Sequence, residues 1–169
     1  MTRKLRCHDC GALVPDVPEI RTDHLYIGAS PGCYAAFTEL IGREMSDVTL
    51  AATHMLTTDV YMAQHPGSPG RQASQSVWVH LVGLCLVLEF GFDPVASAHA
   101  KARVAAPNAE FPWLEPPPSL GATTVLDILA TASAEEHRAA VRGWARSVWA
   151  AWELHHGPIR ERAARVVTS

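Results

Sequence analysis

Two cysteines near the start of the chain have the spacing of a metal-binding motif. Cys7 and Cys10 are separated by two residues and are followed by Gly11. A tight turn in such a segment aims both thiolates at one point, and glycine tolerates the positive φ of that turn. Structural zinc sites use four ligands, usually Cys or His, in a tetrahedron. The segment therefore predicts half of a zinc site. A redox function would need a strand before the motif and a helix after it, which the sequence does not indicate, and two unconnected thiols are the remaining alternative.

The other two ligands are predicted at the ends of the first two helices. Ser30-Pro31 is a typical helix start, which places Cys33 in the first turn, where the helix dipole favours a thiolate. A very short predicted turn joins the first two helices, so we expect them to be antiparallel neighbours. His65, at the end of the second helix, then returns to Cys33. The predicted ligands, which form a closed shell typical of structural zinc, are Cys7, Cys10, Cys33 and His65.

Other completions of this site remain open. Cys85 is an alternative third ligand, but it lies in the apolar run 81–88, where a single cysteine is typical of a core. Asp59 or His80 could replace His65, or water could take the open position of a catalytic zinc. His65 could also simply satisfy carbonyl groups at a helix end.

A second polar set lies on otherwise apolar stretches of the second and third predicted helices. Asp59 sits among apolar neighbours and needs a partner. Measured from the shared end of the two helices, Asp59 lies at a depth of ~9 Å and His80 at ~12 Å. Asp59, His80 and Tyr61 are therefore predicted to meet as catalytic residues, with the Asp–His pair as base and orienter. The same pair could equally be a satisfied buried contact.

Three further residues are predicted to bind a substrate. Gln72 and Ser76 share a helical stripe with His80 and lie nearer the metal end. His155, near the end of the last long helix, is predicted to face a pocket closed by the loop around Trp113. The alternatives are a solvated or capping role for Gln72 and a favourable dipole contact for His155.

The elements that must position these residues are helices. Periodicity and capping signals predict an all-α fold, a helical bundle of four or more core helices with an N-terminal zinc-knuckle-like loop, in one domain over 1–169. A short extended piece is expected at 22–28, and Trp113 and Phe111 are expected to anchor the Pro-rich loop. The predicted segments are the metal-binding loop 1–29, helices one to four over 30–104, the Pro-rich loop 105–122 and the C-terminal helices over 123–169.

The predicted helix bounds follow from caps and breakers. Ser46 is expected to cap the second helix, and Gly157-Pro158 is expected to break the chain after the long C-terminal helix. The approximate predicted helices are 31–44, 47–64, 72–90, 94–104, 125–131, 134–156 and a last one ending near 166.

Composition and charge exclude several classes of function. The 169 residues are 48 % hydrophobic and 18 % charged, as in globular proteins with a core. A net charge of −3 without a basic block argues against nucleic acid and anionic membranes as partners. The chain lacks a signal-peptide pattern, and its longest apolar run, 77–90, is too short to span a bilayer. We therefore expect a cytoplasmic protein with reduced cysteines, for which a homo-oligomer is possible.

The motifs also occur in a recognisable combination. They are Cys7-His-Asp-Cys-Gly11, Ser30-Pro-Gly-Cys33, Asp59-x-Tyr-x-x-Gln-His-Pro-Gly67, Ser76-Val-Trp-Val-His80 and Trp144…Trp149…Trp152…His155-His156. In this combination nearly the whole chain resembles a bacterial family of small uncharacterised proteins, a domain of unknown function. The resemblance implies that the motifs belong together and implies no reaction.

Two functions follow from these observations. In the first, a zinc protein with a buried polar pocket is an enzyme that acts on a small molecule by an unknown reaction. In the second, the protein is a non-catalytic structural or interaction module, and zinc cross-links the loop 1–29 to its helical bundle. The polar residues on apolar helix stretches favour the first, and the closed Cys3His shell favours the second.

Overall fold

The fold is described from a computed structural model, in which residues 3–20, 24–105 and 109–168 are described. It is mainly helical with one small two-stranded sheet, which confirms the predicted fold class. The elements are β1 Lys4–Arg6, β2 Leu13–Pro15, α1 Pro31–Ser46, α2 His54–Ala63, α3 Arg71–Leu88, α4 Pro94–Lys101, α5 Val125–Leu129, α6 Ala134–Ala151 and α7 His156–Thr168.

The N-terminal loop is folded as a β-hairpin around the two cysteines. β1 and β2 are antiparallel, with Leu5 opposite Val14, and Gly11 adopts a φ of 72° in the connection. Val14 is fully buried and ties the hairpin to the core. Periodicity does not reveal strands of three residues, especially when one ends in Pro15. The predicted extended piece at 22–28 is wrong where it is described, because a turn follows His24 (φ 54°), and residues 22 and 23 lie outside the described residues.

The connection between the first two helices is longer than predicted. Ser46 is the last residue of α1, and its hydroxyl donates to the Gly42 carbonyl, so it does not cap the second helix. Asp47 instead accepts hydrogen bonds from the backbone and hydroxyl of Thr49. Such a local side-chain turn competes with helix formation, and α2 therefore begins only at His54.

α3 is the central helix of the bundle. It packs against α2, α4, α6 and α7, and its second half is buried almost all round, as the apolar run predicts. Cys85 is fully buried there, and burial raises the pKa of its thiol to about 12. The core interpretation of Cys85 is confirmed, and its alternative role as a metal ligand is wrong.

The Pro-rich loop has two anchors besides the predicted Phe111. In its described part, 109–122, Leu114 and Leu120 are buried, Phe111 is half-buried and packs against the core, and Trp113 is half-buried. The Trp78 indole donates to the Pro112 carbonyl at 2.7 Å and holds the loop against α3. The predicted fourth helix is also shorter, since α4 ends at Lys101.

The C-terminal helices begin at the predicted caps. The Thr124 backbone N–H donates to Asp127 at the start of α5, and the Ser133 hydroxyl accepts the Glu136 N–H at the start of α6. α6 ends at Ala151, earlier than predicted, and a 3-10 turn over Glu153–His155 leads into α7. Gly157-Pro158 lies in the first turn of α7. Proline is tolerated there, because the N–H groups of a first turn have no carbonyl partner within the helix.

One buried carboxylate joins three helices away from the N-terminal hairpin. Glu44 at the end of α1 is fully buried. Its Oε1 atom accepts hydrogen bonds from Thr57 of α2 at 2.6 Å and His137 of α6 at 2.7 Å. None of the helices in the described residues combines the length and apolar character needed to cross a membrane.

Candidate metal centre and polar cleft

Four side chains converge where the hairpin meets the bundle. Their potential ligand atoms all lie within 4.8 Å of one another, and the residues are Cys7, Cys10, Cys33 and His65. The Sγ atoms of Cys10 and Cys33 are 3.8 Å apart, and Cys33 Sγ lies 3.5 Å from His65 Nε2. A zinc tetrahedron built with standard Zn–S and Zn–N bond lengths has S–S edges of about 3.8 Å and S–N edges of about 3.6 Å. The four side chains therefore have a spacing that fits a metal ion.

Three separate segments supply these side chains. The hairpin carries Cys7 and Cys10, the first turn of α1 carries Cys33, and His65 follows the end of α2. The end of α2 thus returns to the start of α1, as the sequence predicts, although the connection between the two helices is longer than expected.

The orientation of His65 leaves one ring nitrogen for a metal. Its Nδ1–H donates to the Tyr61 carbonyl at 2.7 Å, because a carbonyl oxygen can only accept. The lone pair of Nε2 then faces Cys33. Metal-binding histidines commonly donate their other N–H to a carbonyl in this way. The two roles considered for His65, carbonyl partner and ligand, are therefore compatible.

Hydrogen bonds to sulfur surround the centre. The Ser30 N–H donates to Cys7 Sγ at 3.4 Å, and the Tyr61 hydroxyl donates to Cys33 Sγ at 3.6 Å. Such donors stabilise thiolates. Tyr61 is predicted from the sequence to lie with Asp59 and His80, but its hydroxyl contacts Cys33 instead. It shares a helix face with His65, four residues further on, and that face points to the metal centre.

The pKa values show how strongly the sulfurs interact. Hydrogen bonds from Cys10 and Cys33 hold the pKa of Cys7 far below its ordinary value, whereas the same sulfur contacts raise the pKa of Cys33. Burial lowers the pKa of His65, but its contacts with Cys10 and Cys7 outweigh burial and raise it to about 9. The protons of these groups are therefore strongly coupled, and a divalent cation among them would stabilise the deprotonated thiols and the neutral imidazole together.

Asp9, inside the Cys-x-x-Cys segment, locks the hairpin in place. Its carboxylate accepts the Gly67 N–H at 2.9 Å. A Cβ at Gly28 would lie 1.9 Å from Asp9, and a Cβ at Gly67 would lie 2.0 Å from the Tyr26 carbonyl. Both positions therefore require glycine. Asp9 is not among the residues predicted to be functional, and its place between the two cysteines is the only signal in the sequence that could have indicated it.

A second cluster of charge lies on α2, α3 and α4. Asp59 is 1 % exposed, and its Oδ1 atom lies 2.7 Å from His80 Nδ1. Lys101 at the end of α4 donates to the same oxygen. The structure thus brings Asp59 and His80 together. It adds Lys101, which could not be predicted because the sequence does not show that the short fourth helix packs against α2 and α3.

Gly83 makes room for the buried carboxylate. A Cβ at this position of α3 would lie 2.2 Å from Asp59 Oδ2. Glycine in a helix interior destabilises the helix by roughly 0.5–1 kcal/mol relative to alanine. Glycine at this position therefore lowers the stability of α3, but it leaves the space that the Asp59 carboxylate occupies.

His80 is held as a neutral imidazole. Burial lowers its pKa below the ordinary 6.5, Lys101 acts in the same direction, and the contact with Asp59 opposes both. Nδ1–H donates to Asp59, so Nε2 carries the lone pair.

An open cleft of about 320 Å³ adjoins His80. Its lining consists of Tyr26, Gln72, Gln75, Ser76, Val79, His80 and Ala105. The predicted substrate-binding residues Gln72 and Ser76 therefore lie beside His80. The third, His155, does not line this cleft, because its Nε2–H donates to the Glu115 carbonyl of the Pro-rich loop at 2.9 Å.

Comparisons with known proteins identify a family without an assigned activity. A family model described as a family of unknown function (DUF5946) matches residues 5–153, in agreement with the resemblance seen in the sequence. No curated protein and no solved structure matches the chain.

Proposed function

Because the chain belongs to this family of unknown function, we propose its function from its geometry. It is a zinc-binding helical protein in which a Cys3His centre clamps the N-terminal hairpin onto the bundle, and the bundle presents a polar cleft for a small molecule. The tetrahedral spacing of Cys7, Cys10, Cys33 and His65 is the observation that carries this proposal.

The donor set favours zinc. Three thiolates and one imidazole are soft or borderline ligands, which suit zinc in a tetrahedral site, whereas calcium and magnesium prefer oxygen. A cytoplasmic location would keep the three thiols reduced and available. When bound, zinc would supply a positive charge and a covalent-like cross-link at this point.

A structural role follows from the closed shell. Four protein ligands leave no position for substrate or water. Cys7, Cys33 and His65 are each at most 2 % exposed. The short hairpin packs few buried apolar residues against the bundle, so cross-linking it through two thiolates is a direct way to hold it.

Metal content tests this proposal. Native mass spectrometry of the reduced, purified chain should find one zinc ion. Replacing zinc by cobalt should give the intense visible absorption of a tetrahedral cobalt–thiolate site. A chain purified without any bound metal, which also fails to take up zinc or cobalt, contradicts the proposal.

The cleft distinguishes an enzyme or ligand-binding protein from a purely structural module. Asp59, Lys101 and the neutral His80 form a largely buried polar cluster that stability alone does not require, since hydrophobic residues of similar volume would often stabilise the fold as well. Changing His80 to Ala should abolish small-molecule binding at the cleft and leave the helical content unchanged. If no small molecule is found to bind in the cleft, this result favours the alternative, a module that binds a partner protein.

A further inference from the structure

The cluster below the cleft is arranged for proton transfer. We infer that His80 Nε2 is a general base that accepts a proton from an uncharged polar molecule lying along α3, with Asp59 and Lys101 as positioning residues. This inference rests on the proposed small-molecule cleft, and it does not depend on the zinc centre.

Asp59 fixes which nitrogen can act as the base. Its Oδ1 atom accepts the Nδ1–H of His80 at 2.7 Å, so the lone pair is on Nε2. That atom has no hydrogen-bond partner among the described residues. The His80 side chain is 17 % exposed and lines the cleft. A base needs such a free, accessible lone pair within reach of the proton that it removes.

Burial is the main cause of the lowered pKa of His80, and Lys101 acts in the same direction. A carboxylate alone beside a buried imidazole would favour the protonated ring. Lys101 donates to the same carboxylate oxygen and compensates its charge, so the ring stays neutral and able to accept a proton. The titratable groups that interact with His80 are Asp59 from α2 and Lys101 from α4. Tyr26, from the segment before α1, lines the same cleft, and its hydroxyl lies 3.0 Å from His24 Nδ1.

The lining of the cleft selects an uncharged ligand. Apart from His80, the described lining residues offer two amides, two hydroxyls and apolar surface. Asp59 and Lys101, the charged groups beside His80, are paired with each other. Gln72, Ser76 and His80 follow one another at four-residue intervals and span about 12 Å along α3. An anion or cation would therefore lose its hydration without gaining a counter-charge.

The proton-transfer step balances without a further reactant. An O–H or N–H bond of the ligand breaks, and its electron pair stays on the oxygen or nitrogen. The proton moves to His80 Nε2, and the resulting imidazolium is stabilised by Asp59. The imidazolium then returns the proton to the ligand or to solvent.

Diethyl pyrocarbonate, an uncharged electrophile that acylates neutral imidazole, tests the base. The zinc-loaded full chain is treated between about pH 5 and pH 8, and the modification of His80 is followed by peptide mass spectrometry, with a short histidine-containing peptide in the same mixture as the control. His80 should react with a midpoint at lower pH than this peptide, because burial lowers its pKa below the ordinary 6.5. Asp59→Asn should slow the reaction of His80 at high pH by about tenfold or more, because the tautomer is no longer fixed.

The variants at Lys101 separate positioning from mere packing. Lys101→Met should move the His80 midpoint to higher pH, because the cation that lowers its pKa is gone, and Lys101→Arg should keep the wild-type midpoint. A midpoint unchanged in Lys101→Met, or a His80 that does not react in the wild-type chain, overturns the inference. Should Lys101→Met not fold, the Asp59→Asn comparison decides alone.

Acetamide and acetate, which differ in charge but little in shape, test the ligand class. In backbone amide spectra of the labelled, zinc-loaded chain, acetamide should shift the signals of 72–80, and acetate should not. Equal or stronger shifts with acetate, or none with either compound, contradict the inference. Zinc content is measured on the same samples. A metal-free chain with a reactive His80 therefore contradicts only the zinc proposal, and a zinc-loaded chain with an unreactive His80 contradicts only this inference.

Discussion

The metal centre and the polar cleft solve the problem of buried charge in opposite ways. At the metal centre, three thiols and one imidazole lie close together in the interior, and all of them can lose their protons together only when a cation lies between them. At the cleft, Asp59 is equally buried but has Lys101 and His80 as partners from its own chain. The first site is thus incomplete without an ion, whereas the second is complete and leaves a lone pair free for chemistry. Perturbations of the two sites should therefore differ in kind.

Loss of the metal ligand at the centre should have the largest effect on stability. Cys33→Ser should abolish zinc binding and lower the free energy of unfolding by more than about 4 kcal/mol, because loss of a structural metal belongs to the most severe changes. Denaturant unfolding followed by circular dichroism, together with zinc content, measures both effects. A strong chelator should destabilise the wild-type chain to a similar extent.

The matched control for this change is the other fully buried cysteine. Cys85→Ala should keep one zinc ion per chain and cost about 1–2 kcal/mol for the lost side-chain volume. If Cys33→Ser and Cys85→Ala destabilise the chain equally and zinc content is the same in both, the metal centre does not hold the fold.

Removing the counter-charge of Asp59 should have the next largest effect. Lys101→Met should lower the free energy of unfolding by about 3–5 kcal/mol, since it leaves a buried carboxylate without its cation. Thermal and denaturant unfolding measure the change. The control is Arg160→Ala, which removes the partner of the exposed Glu89 and should have a far smaller effect. Similar losses for both variants would mean that burial does not distinguish the Asp59 pair.

The close fit between Gly83 and Asp59 should reverse the usual effect of a helix glycine. Gly83→Ala should destabilise the chain by roughly 1–3 kcal/mol, because the new methyl group overlaps the carboxylate. With Asp59→Ala in place, the same change should stabilise it by roughly 1 kcal/mol, as in an ordinary helix. A double-mutant cycle measures this coupling.

Gly143 is the matched control for Gly83, since it also lies within a long helix and a Cβ there would have nothing within 4 Å. Gly143→Ala should stabilise the chain by roughly 0.5–1 kcal/mol with either residue at position 59. A cycle without coupling between positions 83 and 59 would show that the carboxylate moves freely out of the way.

Changes at the mouth of the cleft should have the smallest effect on stability. Ser76→Ala should change the free energy of unfolding by less than about 0.5 kcal/mol, because Ser76 is half-buried and lies at an open surface. The same variant should weaken the acetamide-induced shifts at His80. A large loss of stability would instead assign Ser76 to the structure of the bundle.

The sequence predicted the sites better than the segments between them. Cys7, Cys10 and Gly11 carry a local motif, and the helical spacing of Asp59, Tyr61 and His65 determines which faces they occupy, so the four potential ligands and the Asp–His contact could be predicted. The four-residue spacing between Tyr61 and His65 also places Tyr61 on the face of the metal centre, whereas its depth in the bundle alone would place it beside Asp59 and His80.

Other features depend on contacts that spacing does not encode. Lys101 reaches Asp59 only because a short helix packs across α2 and α3, and Asp9 contacts Gly67 only once the hairpin is docked. The second helix begins late because Asp47 forms a local turn with Thr49, a competition that apolar periodicity does not reveal.

The spread of the metal ligands along the chain bears on how folding and metal capture are ordered. Cys7 and Cys10 are neighbours in any conformation, whereas Cys33 and His65 approach them only after a long loop has closed and α1 and α2 have packed. An unfolded chain therefore offers a metal ion two ligands, and the folded chain offers four. Each ion held by the native state but only loosely by the unfolded state shifts the equilibrium towards folding by mass action. The concentration of free zinc would then set the fraction of folded chains, and the hairpin would act as the point of first capture.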